Sequence, residues 1–190
     1  MSSDPESSAS NLAFTGRLPL TWRELPALPD AAELQHLEQA NLNLLHTLFA
    51  LDIHAGDHSD DPLALTNATE LKRLDFKVGL LLGLVGQLLA HQQAMPPEHP
   101  LALTADHLRW SAASAPPVGV PLRLELYCNL SYPQPLILHA QVDEMVSDEG
   151  EQQIKAHFYP MSPPMHEALE RYIFLQHRRS IANLRISRPR

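Results

Sequence analysis

Eleven histidines and twenty-two acidic residues in 190 positions make metal ligation the first chemistry to look for. The densest cluster is LDIHAGDHSDD, which holds His54, Asp57, His58, Asp60 and Asp61. Two histidines four apart on a helix share a face and suit Zn²⁺. Here Gly56 stands between them, at the end of a helical pattern and inside a polar stretch. That composition reads as a solvated, helix-terminating loop. The other histidines are scattered; His139 and His157 fall on the polar sides of alternating segments. Cys128 is the only cysteine, so neither an intrachain disulfide nor a cysteine-built zinc site is available. The seven glycines form no phosphate loop or dinucleotide fingerprint, and no serine or cysteine sits in a nucleophile elbow. The residues therefore predict no enzyme. A metal-dependent hydrolase using His54, Asp57 and His58 is the least supported alternative.

The strongest electrostatic feature lies at the other end. Arg171 to Arg190 contains six arginines and no acid, while the whole chain carries a net charge of −8. Arg178 and Arg179 are adjacent, and guanidinium forks suit phosphates and carboxylates. Two blander roles are also open. Cations at a helix C-terminus offset the macrodipole by about 0.3–1 kcal/mol each, and arginines can pair with the acidic body. A net negative chain with pI near 5.7 does not predict a general nucleic-acid binder.

These groups need elements to position them. Residues 1 to about 16 are serine-rich and polar, which predicts a disordered tail, and LPLTWREL (18–25) reads as extended. Asp30 and Glu33 form a capping pair opening a helix. In it Leu34, Leu37, Asn41, Leu44, Leu48 and Leu51 step 3, 4, 3, 4, 3. Asn41 either fixes oligomer register at a heptad a position or faces solvent. A polar loop then leads to the helical stretch Asn67 to Met95, capped by Asn67 and Glu70 and stopped by Pro96 and Pro97. Leu71, Leu74, Val78, Leu81, Val85 and Leu88 repeat the 3–4 spacing, and Gln92 and Met95 extend it. Gly79, Gly83, Gly86 and Ala90 fall on the opposite face. Glycine costs a helix about 1 kcal/mol relative to alanine, which close approach of another backbone would offset. The stripe fits either a core helix of one monomer or association between chains. Its apolar run, Val78 to Ala90, is too short for a bilayer, which takes about 20 residues.

After Pro100 the period becomes two. Leu122, Leu124 and Leu126, then Leu136, Leu138, Ala140 and Val142, then Ile154, Ala156 and Phe158 mark half-buried strands. Asp148-Glu149-Gly150 is a hairpin turn, and shorter strands fall at 101–103 and 108–110. Such close spacing predicts an antiparallel sheet or small barrel. Ser162 caps a last helix, with Pro163 and Pro164 at its first positions, running to about Leu184.

The order of LPLTWREL, ELKRLDFKVGLLLGLV, LALTADHLRW, PPVGVPLRLELY and ALERYIFLQHRR resembles the atypical, tetramer-forming branch of the PilZ family, bacterial cyclic di-GMP receptor modules. The likeness covers most of residues 18 to 185. It implies a small PilZ barrel, helices that assemble four chains through heptads, and signalling without catalysis. The receptors' Arg-x-x-x-Arg motif is absent here: Arg17 and Arg23 are six apart, and Arg185 and Arg188 three apart. Their Asp/Asn-x-Ser-x-x-Gly motif falls on Ala102, Thr104 and His107, of which only Thr104 is conservative.

The expectation is thus an α+β protein: a small antiparallel PilZ-like barrel (96–160), a heptad-bearing oligomerisation arm (31–95) and a C-terminal helix (162–185). The function expected is a non-enzymatic cyclic di-GMP receptor or adaptor, or a degenerate scaffold working through protein partners. Thr104, Arg178 and Arg179 are the candidate ligand residues, cyclic di-GMP the ligand, weakly bound or not at all. Leu71, Leu74, Val78, Leu81, Val85 and Leu88 are the candidate self-association residues. No metal, no membrane span and, lacking a signal peptide at MSSDPESSAS, a cytoplasmic location are expected.

Overall fold

The computed structural model describes residues 12–53, 74, 77–79, 81, 84–85, 95–130, 132–148 and 150–186. The alternating segments form β1 (Phe14–Glu24), β2 (Glu98–Leu103), β3 (His107–Ala112), β4 (Pro121–Leu126), β5 (Leu136–Asp148) and β6 (Glu151–Phe158). They close into an antiparallel barrel in the order β1-β2-β3-β6-β5-β4. Two helices pack on it: α1 (Ala31–Ile53) and the C-terminal helix α2 (Pro163–Ile186).

β1 closes the barrel by changing partners along its length. Phe14 to Pro19 pairs with β2, and Leu20 to Glu24 pairs with β4. Pro19 sits at the changeover, where a residue without an N–H donor removes least from the ladder. The barrel therefore starts at Phe14, inside the region whose composition suggests a tail, and draws a strand from ahead of α1. Gly150, with φ +91°, supplies the left-handed turn between β5 and β6.

The inward-facing leucines of β4 and β5 are joined by Trp110, Ile154, Ala156 and Phe158, all buried. Met165, Ala168, Leu169, Tyr172 and Ile173 of α2 complete this core, as do Leu44, Leu45, Leu48 and Phe49 of α1. Leu44 and Leu48 of the α1 stripe are thus covered within their own chain, by α2 as well as by the barrel.

Asn41 takes neither of its two expected roles. It is 5% exposed; its Nδ2 donates to the Ile137 carbonyl at 2.7 Å and its Oδ1 accepts from the Ile137 N–H at 3.0 Å. β6 ends opposite Ala140, so β5 has no strand neighbour on that side at Ile137. The side-chain amide completes the ladder there. His139, placed on the polar side of β5 by alternation, is also buried, because the start of α1 lies over it.

Leu74, Val78, Leu81, Leu84 and Val85 are helical and 51–61% exposed in a single chain. An added Cβ on Gly79 meets nothing within 4 Å. Met95 is not helical, so the stripe ends before it. Leu71 and Leu88, the Asn67–Glu70 cap and the His54–Asp61 cluster lie outside the described residues.

Candidate ligand site

The β2–β3 turn carries the three positions matched to the receptor motif. The Thr104 hydroxyl accepts from the backbone N–H groups of His107 at 3.0 Å and Asp106 at 3.3 Å. The same oxygen lies 2.9 Å from His107 Nδ1 and 3.1 Å from the His107 carbonyl. It is spent on the turn. Ala102 offers only a methyl group. These residues do not reproduce the carboxylate or amide, free hydroxyl and bare backbone that the motif would bring to a nucleotide. Arg17, on β1 beside β2, is tied to Glu98, donating to its carbonyl at 3.0 Å and lying 3.7 Å from its carboxylate.

α2 crosses this end of the barrel. His166 Nε2 lies 3.3 Å from Asp106 Oδ1, and His177 Nδ1 lies 3.2 Å from the Ala13 carbonyl, just ahead of β1. Arg178 and Arg179 follow His177. The Arg178 guanidinium lies 5.7 Å over the Phe174 ring, and Arg171 lies 4.7 Å over Phe49. Arg179 is engaged as well. Arg178 thus packs along its own helix, and Arg171 ties α2 to α1.

A second row of groups was hidden in the sequence because only strand register assembles it. Ala102 pairs with Arg109, Arg109 with Lys155, and Lys155 with Glu144, across β2, β3, β6 and β5. All four lie on the outer side of the barrel, and an open groove of about 420 Å³ lies above Arg109, Lys155 and Glu144. Burial holds the His107 imidazole below its usual range, and the positive charges of Lys155 and Arg109 press the same way.

Two buried groups are inert. Desolvation pushes the Cys128 thiol up to about 12, so it supplies no thiolate nucleophile. The His139 ring is held below 6.5, first by desolvation and then by Arg123, and its Nε2 is buried without a hydrogen-bond partner. The sign of the consequence is fixed. Above 6.5 the ring is neutral whether folded or unfolded, and the burial has no pH-dependent cost. As pH falls below 6.5, the unfolded chain takes up a proton that the folded chain refuses, and stability drops until the folded value is passed. Urea unfolding of wild type at pH 7.5, 6.5 and 5.5 should show this loss, and His139→Gln should flatten it. An unchanged slope in the variant would show that His139 is protonated without cost.

Among the described residues no group of three or more His, Cys, Asp or Glu is placed to hold a metal ion. No described helix is long and apolar enough to cross a membrane.

The fold is a closed six-stranded antiparallel barrel with a helix across one end. The chain belongs to the atypical PilZ domain family of cyclic di-GMP receptors, matching it over residues 44–186. The match begins within α1, so β1 lies ahead of it. Among solved structures, a Xanthomonas campestris protein shares the fold with a TM-score of 0.72 and 25% identity, covering 92% of each chain. That protein is described as a tetrameric PilZ domain self-assembled via a helical bundle. The inhibitor of motility from Bacillus subtilis gives a TM-score of 0.37 at 15% identity, over 45% of this chain and 43% of that one. No curated protein sequence matches significantly.

Proposed function

We propose that this chain is a non-enzymatic signalling module that assembles through the apolar stripe Leu74, Val78, Leu81, Leu84 and Val85 and passes its signal by protein contact, without holding cyclic di-GMP tightly. One observation carries the reading: five helical apolar side chains, Leu74, Val78, Leu81, Leu84 and Val85, stand more than half exposed in the single chain. Monomeric proteins rarely leave such a contiguous stripe uncovered. The helical bundle that assembles the Xanthomonas campestris relative supports the same use of this segment. In this reading α1 contributes less to the seam than the second half of the 31–95 arm, because Leu44 and Leu48 are already buried within their own chain. Multi-angle light scattering of the wild type tests the reading. A multiple of the 21.2 kDa chain mass is expected; a single-chain mass at every concentration tried would remove it.

The ligand half of the reading rests on Thr104, Ala102 and His107. Two absent charge-assisted bonds, at about 1.5–3 kcal/mol each, weaken binding by about two to four orders of magnitude. Calorimetric titration with cyclic di-GMP should give a Kd of about 1 µM or weaker, or no heat. Sub-micromolar binding would mean that other groups replace the motif. Arg178→Ala with Arg179→Ala would then be the first variant to titrate.

A further inference from the structure

We propose that the groove above β3, β6 and β5 is a phosphate-ester site for a nucleotide, held by Arg109 and Lys155. Arg109 and Lys155 are direct partners in the β3–β6 ladder. Side chains so placed have Cβ atoms about 4.5–5.5 Å apart, and like charges there repel. Neither forms an ion pair or a side-chain hydrogen bond among the described residues, although Glu144 is the ladder neighbour of Lys155. The fold thus keeps two cations opposed, neither of them in an ion pair among the described residues. The other opposed pair, Arg23 and Arg123, differs: Arg123 is neutralised by Glu125 at 2.9 Å.

The groove supplies what the cations lack. Its volume of about 420 Å³ falls in the range of roughly 300–1,000 Å³ typical of small-molecule sites. Val146, 50% exposed, offers an apolar wall for a planar ring. Gln153 and Ser147 offer both donors and acceptors, and the Glu144 carboxylate accepts from N–H groups such as those on a guanine edge. Arg109 matches two phosphate oxygens with a planar fork, while Lys155 acts as a point charge beside it. The His107 pKa is lowered first by burial and then by Lys155 and Arg109, so both cations are felt at this end of the row. The site uses none of the positions of the receptor motif, and it does not depend on assembly.

The test uses the full chain, labelled with nitrogen-15 and titrated with GMP and separately with inorganic phosphate to about 10 mM. GMP should shift the amides around Arg109, Gln153 and Lys155 saturably, with a Kd at least about threefold tighter than phosphate. Arg109→Gln with Lys155→Gln should weaken GMP at least about tenfold. It should also melt at or above the wild-type temperature without ligand, because a repulsion has been removed. Arg23→Gln, which removes a cation elsewhere on the barrel, should bind like wild type. Equal affinity for phosphate and GMP would overturn the nucleotide assignment. Shifts centred elsewhere, or a Kd within about twofold in the double variant, would overturn the site. Light scattering reads assembly separately, so either conclusion can fail alone.

Discussion

Leu81→Asp should reduce the particle to a single chain of 21.2 kDa while leaving the barrel folded. Leu81 is 61% exposed in one chain and lies at the centre of the stripe. Covering it against a neighbouring chain recovers about 1–2 kcal/mol of the 1.5–3 available for a leucine. A carboxylate at that position must lose water without a partner, which costs several kcal/mol per chain, roughly. The penalty recurs in every protomer, so it exceeds what a modest helical seam provides. Within a single chain the substitution faces solvent. Far-ultraviolet circular dichroism, the near-ultraviolet signal of Trp22 and Trp110, and urea stability at low concentration should therefore hold. A variant that keeps the wild-type mass would place the seam elsewhere. A variant that loses the tryptophan signal would show that Leu81 packs within its own chain.

What could be read in the sequence divides along a physical line. Features set by residues close in the chain were legible. The alternation of Leu122, Leu124 and Leu126 fixed the inner face of β4. Ser162 with Pro163 and Pro164 marked the start of α2. Periodicity reports which side of an element is apolar and is silent on what covers it. The two heptad stripes look alike as sequence, yet Leu44 and Leu48 are buried within their own chain while Leu81 and Val85 stand exposed. The same limit hid His139, whose polar face lies under α1. Pro19 and the change of partners along β1 obscured a strand that half belongs to each neighbour. The Arg109–Lys155 row could not be read at all. It exists only through the register of β3 with β6, and register is a non-local property. The loss of the receptor motif at Ala102 and His107 was legible; that the Thr104 hydroxyl is consumed by its own turn was not.

Asn41 separates the two kinds of heptad most sharply by experiment. Asn41→Ala removes both hydrogen bonds to Ile137 and leaves a backbone N–H and a carbonyl without partners beneath α1. Each orphaned group costs about 1–3 kcal/mol, so a loss of about 2–6 kcal/mol is expected from urea unfolding. That is a large part of a typical stability of about 5–15 kcal/mol. Asn41→Leu is the informative companion. It restores the volume and apolar surface but neither hydrogen bond. If Asn41 were a register-setting residue in a seam between chains, leucine would stabilise the assembly and change its size. Because the amide instead completes the β5 ladder at Ile137, leucine should destabilise nearly as much as alanine and leave the particle mass unchanged. Asn41→Asp keeps an acceptor for the Ile137 N–H but turns a carboxylate towards its carbonyl, and should be at least as damaging as alanine at neutral pH. A stabilised Asn41→Leu protein of altered mass would return α1 to the assembly seam.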